Sequence, residues 1–140
     1  MNAYTITISP NQIILNQSTK NIILEFDIRS LRDRFFNEDP TKEFHIENAI
    51  NYFEELISSC HINFHNSDVF LKIEEFLFNL EKTFNSTSFG EKEIEGHFED
   101  CLYLIKESPL NDEQKENLVL VIILREFLHH LKIKHFIIKK

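Results

Sequence analysis

The sequence predicts an α+β domain: a small N-terminal antiparallel sheet packed against about four helices, with a C-terminal strand as an option. Three patterns carry that expectation. Apolar and polar side chains alternate through much of residues 4–28, the period of a half-buried strand. From residue 39 the apolar spacing changes to the 3.6-residue period of an amphipathic helix. The run Leu118–Leu124 is wholly apolar, which suits a helix buried on every side.

Tyr4, Ile6 and Ile8 alternate with Thr5 and Thr7, giving a first strand with one apolar face. Ser9-Pro10-Asn11 is turn chemistry, Ile13–Leu15 is a short second strand, and Asn16 to Asn21 is a polar loop of hairpin length. Ile22–Ile28 reads as a third strand with Leu24, Phe26 and Ile28 on one face. The segment Arg29–Arg34 either extends that strand or bends away. These strands suit an antiparallel meander.

Asp39-Pro40 supplies an N-cap followed by Pro at the first helical position. The helix it opens carries Ile46, Ile50, Phe53 and Ile57 on one stripe, with Ala49, Leu56 and Cys60 beside it. Ser67-Asp68 opens a second helix, with stripe Val69, Ile73, Phe76, Leu80 and Phe84, flanked by Phe70 and Leu77. Thr83–Glu91 is a polar loop containing Gly90. A third helix turns Ile94, Phe98, Cys101, Leu102 and Ile105 inward and ends at Ser108-Pro109. Asn111-Asp112-Glu113-Gln114 forms a near capping box for a fourth helix that runs to about Leu131. The Val and Ile content of Leu118–Leu124 leaves a buried strand as the alternative there. Ile133 to Lys140 is either a last strand or a frayed helix end. The expected organisation is one domain over 1–140, mainly β in 1–36, mainly α in 39–131, with 132–140 a tail or edge strand.

Composition narrows the functional classes. Fourteen Phe, with abundant Ile, Asn and Lys, reflect AT-rich codons and so a low-GC bacterial, phage or viral source. Gly90 and Gly96 are the only glycines. P-loops and dinucleotide fingerprints need several glycines for close backbone approach to phosphate, so nucleotide enzymes of those classes are excluded. The apolar run is too short to span a membrane. The N-terminus lacks a basic and apolar leader, so the expected location is the cytoplasm. Cys60 and Cys101 are too few for a disulfide framework and are expected as buried thiols. Two sequons, at Asn16 and Asn85, are chance features of an Asn-rich chain.

Charge is the most unequal feature. The chain carries −8, and Asn37 to Glu126 holds 20 acidic residues against 7 basic ones. The last fourteen residues hold four Lys and no acid. This distribution argues against direct nucleic-acid binding, which needs a basic footprint, and fits docking on a basic protein. The candidate partner-binding face is Glu91, Glu93, Glu95, Glu99, Asp100, Tyr103, Glu107, Asp112, Glu113 and Glu116. Phe89 and Tyr103 are its candidate apolar anchors. No cofactor or metal is expected. Cys60, His61 and His65 lie close in sequence, but adjacent Cys60 and His61 diverge at a helix end. His129, His130 and His135 form a second group, in which neighbouring helical histidines point about 100° apart. His97 adjoins Glu99 and Asp100, a pairing that general acid–base chemistry uses when it is held in one cleft. The doublets Glu54-Glu55 and Glu74-Glu75 read as solvated helix faces.

The expected function is a non-catalytic inhibitor that neutralises a basic toxin or nuclease through the acidic face, in the manner of bacterial immunity proteins. The alternatives are a phage anti-defence nucleic-acid mimic, a structural or oligomeric subunit, or an enzyme with a His/carboxylate site.

Overall fold

The computed structural model describes residues 4–74 and 78–139. Strands β1 (Tyr4–Ser9), β2 (Gln12–Gln17) and β3 (Lys20–Glu25) form the expected antiparallel meander. The third strand stops at Glu25 because Asp27 caps a helix. Its carboxylate accepts from the backbone N–H of Arg29 at 2.8 Å and of Ser30 at 3.3 Å. Helix α1 (Ile28–Phe36) therefore takes Ile28 out of the sheet and resolves Arg29–Arg34 as helix, with Ile28, Leu31 and Phe36 buried.

Helix α2 (Glu43–Ser58) buries Ile46, Ala49, Phe53 and Ile57, the predicted stripe. It begins three residues beyond Pro40. The Lys42 N–H donates to His45 Nδ1 at 2.9 Å and closes the helix start there. Asp39 instead meets the buried Lys115 ammonium at 3.1 Å.

The main correction concerns Ser67–Ile73, which forms strand β4 rather than opening a helix. Val69 and Ile73 fit both periods, being two strand steps or one helical turn apart. Leu71 decides between them. It is fully buried together with Val69, while Asp68, Phe70 and Lys72 are exposed, so the period is two. β4 pairs in parallel with β1 on one side, and pairing on both sides of a central strand outweighs a local helical pattern. Phe76 and Leu77, which were placed on that helix, lie outside the described residues. Among the described residues of that segment only its end is helical, as the short α3 (Leu80–Phe84).

The two-residue strand β5 (Ser88–Phe89) lies within the expected polar loop. Helix α4 (Glu91–Glu107) follows, and α5 (Asp112–His130) is helical throughout, which removes the buried-strand alternative. The capping box at α5 is present: Gln114 N–H donates to Asn111 Oδ1 at 2.8 Å, and Asn111 N–H to Gln114 Oε1 at 2.9 Å. The tail is strand β6 (Ile133–Ile138), an interior strand, parallel to β4 and antiparallel to β5. One mixed six-stranded sheet results, in the order β3-β2-β1-β4-β6-β5. With the five helices of the described residues the architecture is α+β, as the sequence predicts.

Ile6, Ile8, Ile13, Leu15, Val69 and Leu71 form the buried sheet face. Helix α5 lies at the centre of the helical layer, in contact with α1, α2 and α4. Leu118 to Leu124 are each 0–1% exposed. The opposite sheet face, with Thr5, Thr7, Ile14, Ile23 and Phe70, is half-buried or exposed, so the helices cover one face only.

A pair of substitutions tests the strand assignment. Leu71→Asn is expected to cost about 3–5 kcal/mol, from a core void and a buried amide. Phe70→Asn should cost about 1 kcal/mol or less, as at most partly exposed positions. Urea unfolding of both variants checks this; a helix over 67–73 with the expected stripe would reverse the order.

Candidate functional site

Strands β1, β4 and β6 run parallel to one another, so their carboxyl ends share one edge of the sheet. Open α/β sheets bind ligands at that edge. A cavity of about 240 Å³ lies there. Its walls are Lys72, Ile73 and Glu74 from the end of β4, Ile138 and Lys139 from the end of β6, and Phe78 to Glu81 leading into α3. Backbone bonds set the frame: Lys139 N–H donates to Leu71 O at 2.8 Å, Ile138 N–H to Thr87 O at 2.9 Å, and Phe78 N–H to Glu74 O at 3.2 Å. Asn79 accepts from Lys82 N–H at 3.1 Å and caps α3. The crevice thus has a buried apolar floor of Ile73, Phe78 and Leu80, and its charged lining residues are Lys72, Lys139, Glu74 and Glu81. Such a set can hold an anion and accept a proton. Sequence reasoning passed over these residues, with Glu74 read as a wet helix face and Lys139 as part of a basic tail. The available signal was the end of each alternating run.

On the other side of α3, His97 of α4 meets Phe78 and Phe84 edge-on, with ring centroids 6.2 and 5.7 Å away. His97 lines a shallow recess with Thr83, Phe84, Glu93, Gly96, Glu99 and Asp100. Burial holds its imidazole pKa below the usual histidine value, against the opposing pull of Asp100. A histidine and carboxylates therefore share one concavity, the arrangement that the enzyme alternative requires. Glu93 is engaged at the helix start: it accepts from Gly90 N–H at 2.9 Å, which lowers its carboxyl pKa.

The acidic set does not form one free face. Glu95 binds Arg125 Nε at 2.8 Å and His129 Nε2 at 3.1 Å. Glu116 lies 3.6 Å from both Arg29 Nε and Arg32 Nη1, and Asp112 lies 3.9 Å from Arg32 Nη1. Glu91, Glu99, Asp100, Glu107 and Glu113 are exposed. Tyr103 is 68% exposed, whereas Phe89 is buried at 1% and stacks on Phe84 at 4.2 Å, which removes it as an anchor.

The structure does not bring Cys60, His61, His65 and Cys101 together. Cys60 is buried and both other loop histidines are exposed. Both cysteines are free thiols. Burial raises the pKa of each, that of Cys101 to about 11. The C-terminal histidines separate as the helix geometry predicts. His129 turns to Glu95, His130 turns to Glu126 at 3.3 Å, and His135 faces Asp68 at 3.5 Å.

No family model matches the chain, and no curated protein matches it. Solved structures do. The chain is similar to the Aquifex aeolicus PPX-GPPA enzyme, with a TM-score of 0.76 at 14% identity over 100% of this chain and 54% of that one. It is likewise similar to the type II variant of the Aquifex aeolicus Ppx/GppA phosphatase, with a TM-score of 0.74 at 14% identity over 99% of this chain and 53% of that one. A further structure of the Aquifex aeolicus Ppx/GppA family member gives 0.76 and 14% over 99% and 52%. The chain spans about half the length of the solved structures it matches. This likeness is one of fold. It corrects the expectation of a non-catalytic immunity-type inhibitor, because the architecture is that of phosphatase enzymes.

The depressed pKa of His97 has a stability consequence. Its neutral form is favoured in the folded state, so the contribution is full above the unfolded value of about 6.5 and is lost as pH falls through the folded value. His97→Gln should therefore lose less stability than the parent between pH 7.5 and 5.5. Urea midpoints of the two proteins at both pH values check this, and the imidazole NMR titration of His97 should lie below the usual histidine value.

Proposed function

We propose that this chain is one lobe of a phosphate ester or anhydride hydrolase that works at the carboxyl-end crevice. The observation that carries the reading is the chain-long likeness to phosphatase structures, joined to a crevice of paired cations and carboxylates at the ligand-binding edge of the sheet. Lys72 and Lys139 would hold the phosphate oxygens, as ammonium groups do. Glu74 would take a proton from the attacking water while its oxygen bonds to phosphorus and the bond to the leaving group breaks. Closing this site over substrate falls to a second lobe, since the matched structures are nearly twice as long. The exclusion of P-loop and dinucleotide enzymes is compatible with this reading, which uses neither motif. Two free cysteines support a cytoplasmic location. Docking of a basic partner on the exposed carboxylates of α4 is a separate proposal.

Release of inorganic phosphate from a panel of phosphate monoesters and phosphoanhydrides, with and without a divalent cation, tests the reading. Hydrolysis that falls about 100-fold or more in Glu74→Gln, as expected when a general base is removed, and a raised KM in Lys139→Met would support it. Activity equal to the parent's in both variants, or no binding of any of these phosphate compounds by the parent chain, would overturn it.

A further inference from the structure

We propose that Glu54, Glu126 and His130 form a binding site for a zinc-class divalent cation that ties α2 to α5. One ligand atom from each lies within 4.8 Å of the other two. The site is at the start of β6, the opposite end of that strand from Lys139 and the phosphate crevice.

Glu126 is the base of the site. It is 1% exposed, so its carboxylate must be compensated within the protein. Its Oε2 faces Arg125 Nη1 at 3.2 Å and His129 Nδ1 at 3.8 Å, while its Oε1 faces His130 Nε2 at 3.3 Å. Arg125 is already shared, since its Nε binds Glu95 at 2.8 Å. Glu54 arrives from α2 with no Lys or Arg within 4.0 Å among the described residues. Glu95 and Glu126 thus share one guanidinium and Glu54 meets none, so the three carboxylates outnumber that guanidinium by two. A dication placed among Glu54, Glu126 and His130 neutralises that excess.

The donor geometry suits such an ion. Zn²⁺ binds imidazole N and carboxylate O at about 2.0–2.2 Å, which puts neighbouring donors about 3.3–3.5 Å apart in a tetrahedron. The Glu126 to His130 separation of 3.3 Å already meets this, because the i, i+4 spacing stacks them on one helix face. Glu54 is exposed and free to swing inward over the remaining gap. His130 is partly exposed, which leaves a fourth position open to water. His129 directs Nε2 to Glu95 and sets Nδ1 3.8 Å from Glu126 Oε2, the oxygen on the Arg125 side, and is not one of the three ligands.

The test uses the full chain stripped with a chelator, then titrated with Zn²⁺ by calorimetry and with Co²⁺ by visible absorption. Glu126 is too buried to be a clean probe, so the exposed Glu54 and half-exposed His130 are varied. The expected result is one Zn²⁺ per chain, a raised Tm, and a four-coordinate Co²⁺ band. Glu54→Gln should weaken binding about tenfold or more and His130→Ala about 100-fold or more, as loss of direct ligands does, while His135→Ala leaves it unchanged. Absence of binding at about 100 µM Zn²⁺, weak beside the affinities of protein zinc sites, would overturn the proposal. So would affinity within twofold of the parent in both variants, or loss of binding in His129→Ala but not in His130→Ala.

Discussion

The burial of α5 is the constraint on which the rest of this fold depends. Seven consecutive apolar residues cannot face water on any side of a helix, so the chain must surround them. The sheet supplies one wall, and α1, α2 and α4 supply the others. Burial of each such side chain is worth about 1.5–3 kcal/mol, more than any single ion pair on the surface contributes. The two ends of the same helix are polar but still deep. Lys115 near its start is held by Asp39, and Glu126 near its end is held by Arg125 and the histidines beside it. The first charge ties the helix to the segment before α2, while the second is compensated within α5, whose Arg125 reaches Glu95 of α4.

That placement divides the chemistry of the molecule between the two ends of the sheet. β6 leaves α5 through two residues, so the Glu126 cluster sits where that strand begins, and Lys139 follows its last residue. The crevice by Lys139 is framed by backbone hydrogen bonds from β4 and β6, with the buried Phe78 and Leu80 as its floor. His97 backs the same wall from behind, through Phe78. A group in the crevice and a group bound at Glu126 would thus be joined through the same strand and helix, without touching.

The likeness to phosphatase structures changes how the acidic composition is read. As a sequence, the excess of carboxylate suggests a face for a basic partner. In three dimensions Glu95, Asp112 and Glu116 face arginines of other elements, and Glu93 caps its own helix. Much of the charge is structural. Strand ends and helix junctions are where main-chain geometry gathers side chains that are distant in sequence.

The amino-acid sequence by itself determined the meander, the helices α2, α4 and α5, the capping box at Asn111 and the central burial of Leu118–Leu124. Each rests on a local period or on a cap between residues four or fewer apart. Tertiary structure decided what local spacing leaves degenerate. Val69 and Ile73 satisfy helix and strand alike, and only pairing on both edges made that segment a strand. The tail became an interior strand for the same reason, since hydrogen bonds from two neighbours exceed any local preference there. The crevice and the Glu54–Glu126–His130 cluster were illegible because their members come from separate elements. Sequence spacing carries no information about which strand ends or helix faces will meet; the packing of the sheet against α5 supplies it.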